Sequence, residues 1–239
     1  MTKRVLVLGG TGRTGRHVID KALAAGYSVN VLARRPEAVT QTHENLTVFK
    51  GTPENAKDLD AAIEGCDAVV ATMNNARASD SPFGKIVNSP TLLSDIFGNV
   101  IAAMNKHGVR RVVQLGATGA GDSFDAAPWI FRQFIKRTNL GVAYRDHEGV
   151  EAALAASGLD WTVGRAVGLG NKSGPVTESY VMDGKSQPKP SMQIGRESVA
   201  EWLVAALERS DLFGKRPRFQ GHEIPALGPS MPRAKRCDR

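Results

Sequence analysis

Cysteine is almost missing from this chain: Cys66 and Cys237 are the only two among 239 residues. They stand far apart, one in an expected helix-to-strand turn and the other in a polar tail. That excludes a disulfide framework and a cysteine-based metal site. Long apolar runs are also lacking. The run that opens at Val5 is cut by Gly9 and Gly10, too short for a signal peptide or a membrane span, so a cytoplasmic protein with no membrane contact is expected. There is no repeat of fixed period, and low-complexity sequence is confined to the tail from about residue 225. Asp122 and Asp125 lack the spacing and the companions of a metal site, and no metal is expected.

A formal charge of +7 raises the question of nucleic acid, and its distribution answers it. Residues 213–239 hold seven basic and two acidic side chains, which leaves a net charge of only +2 on the body. A basic tail rich in proline and glycine reads as solvated and disordered chain, so no nucleic-acid partner is expected.

Hydrophobic residues make up 41% of the sequence, enough for one large core. Strand-like runs fall at residues 4–8, 28–33, 46–50, 68–73, 111–115 and 160–164. Helical spacing falls between them at 17–25, 55–64, 92–107 and 146–156, with glycines at 26, 65, 108 and 158 as stops. This alternation predicts an α/β doubly wound parallel sheet whose ligands bind beyond the carboxyl ends of the strands. The segment 75–89 reads as a loop bordering a site. After residue 166 regularity falls until helical spacing returns at 197–208. We therefore expect one domain over 1–224, its part 166–224 forming a small substrate-side lobe, followed by a disordered tail at 225–239.

The most informative segment runs Val5-Leu6-Val7-Leu8-Gly9-Gly10-Thr11-Gly12-Arg13-Thr14-Gly15. A buried strand turns sharply into a helix whose free amides and positive dipole end suit a pyrophosphate. Gly9 permits the turn, Gly12 the close approach of backbone to phosphate, and Gly15 the packing of helix on strand. The second strand ends at Ala33-Arg34-Arg35-Pro36, where an NAD-binding chain would carry a carboxylate for the ribose. Two guanidiniums instead point to the additional phosphate of NADP(H), because arginine forks match phosphate oxygens; solvated surface arginines are the alternative.

Four segments together resemble the atypical short-chain dehydrogenase/reductase superfamily, within its NmrA-like and biliverdin reductase B (flavin reductase)-like group. They are Leu8 to Gly15, Val31-Leu32-Ala33-Arg34, the run from Gly98 to Val113, and Ser157-Gly158-Leu159-Asp160-Trp161-Thr162-Val163-Gly164-Arg165. The resemblance covers most of residues 3–210. It implies a Rossmann-like fold with NADPH along the carboxyl edge of the sheet, Thr11, Gly12, Arg13, Thr14 and Gly15 at the pyrophosphate, Arg34 at the 2′-phosphate with Arg35 beside it, and Met73, Asn74 and Ala117 along the nicotinamide half. Three departures stand out. Gly51-Thr52 replaces a frequent Gly-Asp, Leu115-Gly116-Ala117-Thr118 replaces a serine-rich run, and Arg165 is followed by Ala166 where relatives often have proline.

Carbonyl reduction in the wider superfamily uses a Ser or Thr, a Tyr, and a Lys four residues on. The nearest equivalents are Thr118 and Tyr144, but position 148 is Glu, whose carboxylate would disfavour a tyrosinate. Tyr144 then either packs the start of a helix or serves chemistry that needs mainly a positioned hydride donor. His147 is a candidate proton donor because its free pKa lies near neutrality; a structural histidine is the alternative. Trp129, Phe131 and Phe134 have the spacing of core residues, with a pocket wall as the alternative. The reading that follows is an NADPH-dependent oxidoreductase acting on a small flavin, quinone or conjugated carbonyl. A non-catalytic NADP-sensing regulator with a protein partner is the second reading, and a sugar-nucleotide epimerase or dehydratase the third.

Overall fold

The computed structural model describes residues 2–75, 78–79, 81, 83–124, 129–172, 174–179 and 193–221. Asp125, Cys237, the tail from 225 and the side chain of Phe131 lie outside the described residues. Ten strands and six α-helices are assigned within them. In chain order these are β1 (Arg4–Leu8), α1 (Gly15–Ala24), β2 (Ser28–Ala33), β3 (Leu46–Lys50), α2 (Ala56–Ile63), β4 (Ala68–Ala71), α3 (Leu92–His107) and β5 (Arg111–Ala117). There follow α4 (Trp129–Lys136), α5 (Leu140–Ala156), β6 (Asp160–Ala166), β7 (Gly168–Gly170), β8 (Val176–Ser179), β9 (Gln193–Gly195), α6 (Arg196–Ala205) and β10 (Arg218–Gly221).

The main sheet has the order β3-β2-β1-β4-β5-β6-β10-β8, and β7 pairs with β9 in a separate small sheet. Every pairing from β3 to β10 is parallel, and only β8 runs antiparallel. This is the Rossmann-like, doubly wound arrangement, in which strand order reverses between β1 and β4 and opens a crevice there. Strand β1 shows why an unbroken apolar run is required. Val5 and Val7 pack with Val18 and Ile19 of α1 and Val199 and Leu203 of α6, whereas Leu6 and Leu8 pack with α2 and α3 on the other face. All four side chains are fully buried, as a strand covered by helices on both faces demands.

Polar groups inside this core are satisfied by specific contacts. Asn30, in mid-strand, donates from Nδ2 to the Ala62 carbonyl at 2.8 Å. Arg111 lies at the end of the sheet remote from the crevice, donating to Thr162 Oγ1 (2.8 Å) and to the carbonyls of Asp160, Ala206 and Leu207, so it closes the carbonyl end that follows α6. Burial pulls its pKa down to about 10. Cys66 is buried in the turn before β4, and burial pushes its thiol up to about 12, which makes it unreactive at neutral pH.

All six expected strands form, although β4 stops at Ala71 while β5 and β6 run on to Ala117 and Ala166. Two expectations are corrected. Helix α5 begins at Leu140, six residues before the expected start, and α4 precedes it; the close approach of the two helices leaves no room for a side chain at Gly141, whose Cβ would sit 2.9 Å from the Ile135 carbonyl. Trp129 and Phe134 of α4 are exposed at 65% and 39% and line neither core nor crevice, because α4 turns these side chains away from the sheet.

Candidate cofactor and acceptor cleft

A cleft of about 1180 Å³ runs along the carboxyl ends of β1 to β6 and β10. Its floor starts at the β1–α1 corner, where Gly9, Thr11, Gly12, Arg13 and Thr14 face the cavity. Gly9 has φ +82°, and a Cβ there would press on the Thr72–Met73 backbone at 3.1 Å. Gly15 lies beneath the corner and is buried; a Cβ would stand 2.0 Å from the Gly9 carbonyl oxygen, so only glycine lets α1 pack here. At Gly12 the only near neighbour of an added Cβ is that same carbonyl at 3.1 Å, and the space beyond is the cleft. Helix α1 carries no acidic residue in its first turn, so its positive end has no internal counter-ion. A glycine corner that a side chain would fill, backed by an uncompensated helix N-terminus, fits a dinucleotide diphosphate.

Leu32, Ala33 and Arg34 continue the wall at the end of β2. Arg34 lines the cleft with an exposed side chain, but Arg35 does not line it, since successive side chains of an extended chain point to opposite sides. At the end of β3, Gly51 and Thr52 line the cleft, and the Thr52 amide donates to Asp58 Oδ2 at 3.0 Å. A carboxylate from α2 thus holds the loop where relatives often carry an aspartate in the loop itself. Thr72, Met73 and Asn74 follow β4, and Leu115, Gly116, Ala117 and Thr118 follow β5. Gly116 has a local reason, because a Cβ there would meet Val163 Cγ1 at 2.6 Å. Of the loop 75–89, Val87, Asn88 and Ser89 border the cavity.

Thr118, Tyr144 and His147 all line the same cavity, so the three expected catalytic side chains are brought together. Their states differ from expectation. The Thr118 hydroxyl donates to the Arg165 carbonyl at 2.9 Å while its amide donates to the Ala166 carbonyl at 2.8 Å, so this threonine ties the ends of β5 and β6. His147 is 6% exposed, and burial lowers its pKa to about 4, opposed only in part by the neighbouring Asp146 carboxylate. The ring is neutral at pH 7, which removes the imidazolium donor that its free pKa suggested. Tyr144 is half-buried, and Glu148 one turn on is exposed to solvent outside the cleft.

Two supports escaped the sequence reading. Asp146 accepts hydrogen bonds from Leu93 N (2.8 Å), Ser94 N (2.9 Å), Ser94 Oγ (2.7 Å) and Asn75 Nδ2 (2.8 Å), so a carboxylate on α5 caps α3 and fixes the loop after β4. Arg165 is buried against Glu151, to which Nε donates at 2.9 Å, and also reaches Asp122 in the turn after β5. Burial works against the Arg165 charge, yet Glu151 and Asp122 outweigh it and hold the pKa above its ordinary value. Arg196 and Arg218 also line the cleft, beyond the end of β6. Helical spacing at 197–208 pointed towards the first of them, whereas the short alternating strand containing Arg218 gave too little signal. Among the described residues, no three His, Cys, Asp or Glu side chains converge as a metal site.

The family described as NAD(P)H-binding matches residues 9–210. The chain belongs to this NAD(P)H-binding family. It is similar to the photosystem II assembly factor Ycf39 of Synechocystis sp., 26% identical over 218 residues that cover 89% of this chain and 60% of that protein. It is also similar to (4-alkanoyl-5-oxo-2,5-dihydrofuran-3-yl)methyl phosphate reductase of Streptomyces griseus, 32% identical over 66% of this chain and 45% of the relative. The chain therefore spans 60% or less of the length of these two proteins. In fold it matches a short-chain dehydrogenase/reductase from Veillonella parvula solved in complex with NADP, with a TM-score of 0.71, 16% identity, and 93% of this chain and 95% of that one covered. Among the described residues no helix is long and apolar enough to cross a membrane.

Proposed function

We propose that this chain is an NADPH-dependent reductase that passes hydride to a small organic acceptor such as a flavin, a quinone or a conjugated carbonyl. The observation that carries this reading is the single continuous cleft. It has a phosphate corner and Arg34 on the β1–β2 side, and a neutral, sparsely equipped wall on the β5–α5 side. When bound, the nicotinamide dinucleotide supplies a hydride. Gly12, Arg13, Thr14 and the α1 amides would hold its diphosphate, Arg34 the 2′-phosphate, and Met73, Asn74 and Ala117 the nicotinamide half. Leu115, Leu92 and Val87 exclude water from part of the cavity.

The remaining chain groups support little proton chemistry. The Thr118 hydrogen is committed to Arg165 and His147 is uncharged, so Tyr144 alone retains a hydroxyl of acidic character on the cleft wall. Acceptors that take a proton from water after reduction suit such a site. The reductase name of the Streptomyces griseus relative supports this class of activity. The test is steady-state turnover with NADPH and NADH over a panel of flavins, quinones and enones, in wild type and Arg34→Ala. NADPH-driven turnover is expected, with the variant losing about 1.5–3 kcal/mol more for NADPH than for NADH. Equal losses overturn the role of Arg34, and tight cofactor binding with no turnover of any acceptor overturns the reductase.

The second reading, a non-catalytic NADP-responsive binding protein, draws on Glu148 in place of the usual lysine and on the similarity to an assembly factor. Capture from lysate with and without NADPH separates the two readings, because a sensor exchanges its partner with cofactor state.

A further inference from the structure

The charges on the cleft wall are unevenly placed. Arg13 and Arg34 lie towards β1 and β2, where the proposed reading seats the phosphates of the dinucleotide. Arg196 and Arg218 lie at the opposite end, past β6, beside Val167, Gly168 and Leu169. Among the described lining residues the only carboxylate is Glu54, which follows β3 at the far side. In a doubly wound sheet the adenosine half occupies the β2–β3 side and the nicotinamide half the β4–β5 side, so the β6–β10 end is left for the acceptor.

The fold holds both cations in place. Arg196 opens α6 and donates from Nη1 to the Gly170 carbonyl (3.0 Å) and to Asn171 Oδ1 (2.6 Å), which sets its guanidinium against the β7 rim. Arg218 lies directly across from Arg165 in the β6–β10 ladder, and Phe219 beside it is locked by stacking on Trp202 at 4.5 Å. Arg165 is matched by Glu151 and Asp122, and Arg216 also pairs with Glu151 at 3.1 Å, so those carboxylates are committed to other guanidiniums.

Building on the reductase reading, we propose that the acceptor carries an oxyanion, a carboxylate or a phosphate, which is seated on Arg218 within the field of Arg196. Burial lowers the Arg218 pKa, the sign of a charge that has lost hydration and gains from an anionic partner.

Three isoalloxazines that differ in the side chain test this: riboflavin with a neutral chain, flavin mononucleotide with a phosphate, and carboxymethylflavin with a carboxylate. Affinity is read from quenching of flavin fluorescence with NADP⁺ saturating, so that the cofactor's own phosphate sites are occupied. In wild type at least one anionic flavin is expected to bind about tenfold or more tightly than riboflavin, and whichever wins identifies the group. Arg218→Gln should bring the ratio to within about threefold, while Arg218→Lys, which keeps the charge and loses the fork, should retain much of it. Equal affinities in wild type, no binding of any of the three, or a preference that survives Arg218→Gln overturns the proposal; the wild-type comparison does so without any variant having to fold. Turnover of the same flavins with NADPH is a separate readout. Selective binding without turnover defeats the reductase and leaves the anion seat standing, whereas turnover without discrimination defeats the seat alone.

Discussion

Acidification should expose His147 as a neutral ring held by burial. Its pKa of about 4 lies some 2.5 units below the model value of 6.5. Above pH 6.5 the ring is neutral in both folded and unfolded chains and the linkage contributes nothing. As pH falls from 6.5 towards 4 only the unfolded chain takes up the proton, so stability is lost across that window and the loss levels off below it. Integrated from pH 7 to pH 5, the loss is about 2 kcal/mol, approaching about 3 kcal/mol at the acid limit. Urea unfolding at pH 7 and pH 5 on wild type and His147→Gln provides the double difference, in which the other histidines and the carboxylates cancel. The variant should lose about 2 kcal/mol less than wild type over that interval. Identical pH dependence in the two proteins, or a ring resonance of His147 that titrates near 6.5, would show that the imidazole is solvated and would reinstate it as a proton donor.

The glycine corner separates packing from binding. Gly15→Ala forces a Cβ into the Gly9 carbonyl and should cost about 1–3 kcal/mol in denaturant unfolding, whereas Gly12→Ala should unfold near the wild-type midpoint yet bind NADPH much more weakly by calorimetry. Glu151→Gln removes the charge that Arg165 and Arg216 share, and breaking such a buried pair should cost about 3–5 kcal/mol in the same assay. Phe219→Ala deletes a fully buried ring stacked on Trp202 and should cost about 3–5 kcal/mol, with loosening seen in hydrogen exchange at β10 and α6.

The parts of the fold that could be read in the sequence are those governed by local rules. Runs such as Val5 to Leu8 and Val69 to Ala71 are buried on both faces, and a strand of that kind cannot avoid advertising itself as unbroken apolar chain. Helix stops were equally legible, because Gly26, Gly65, Gly108 and Gly158 all adopt positive φ. What escaped was set at a distance. Helix α4 is short, with Trp129, Ile130 and Phe134 exposed, so its spacing mimicked a core stripe it does not form. The start of α5 is fixed by packing against α4 rather than by a capping side chain, since Asn139 makes no side-chain cap.

The cleft divides along the same line. Its phosphate corner is a contiguous motif and was legible residue by residue, including Gly15, whose role is to have no side chain. The chemistry of its far wall depends on solvation and on partners many residues away, which spacing does not encode. His147 is a good donor by residue type and a neutral ring by burial; Thr118 keeps the expected hydroxyl but directs its hydrogen to Arg165, 47 residues on. Arg165 in turn is held by Glu151 on α5 and reaches Asp122 in the turn after β5, so one guanidinium links the helix that carries Tyr144 and His147 to the loop that carries Ala117 and Thr118. If that linkage sets the cleft wall, Asp122→Asn should leave the fold nearly as stable, because its side chain is 74% exposed, and still loosen the β5 turn. The readout is acceptor affinity falling while NADPH affinity holds. Parallel loss of both would place Asp122 in general stability instead, and no change in either would show that Glu151 alone fixes the guanidinium.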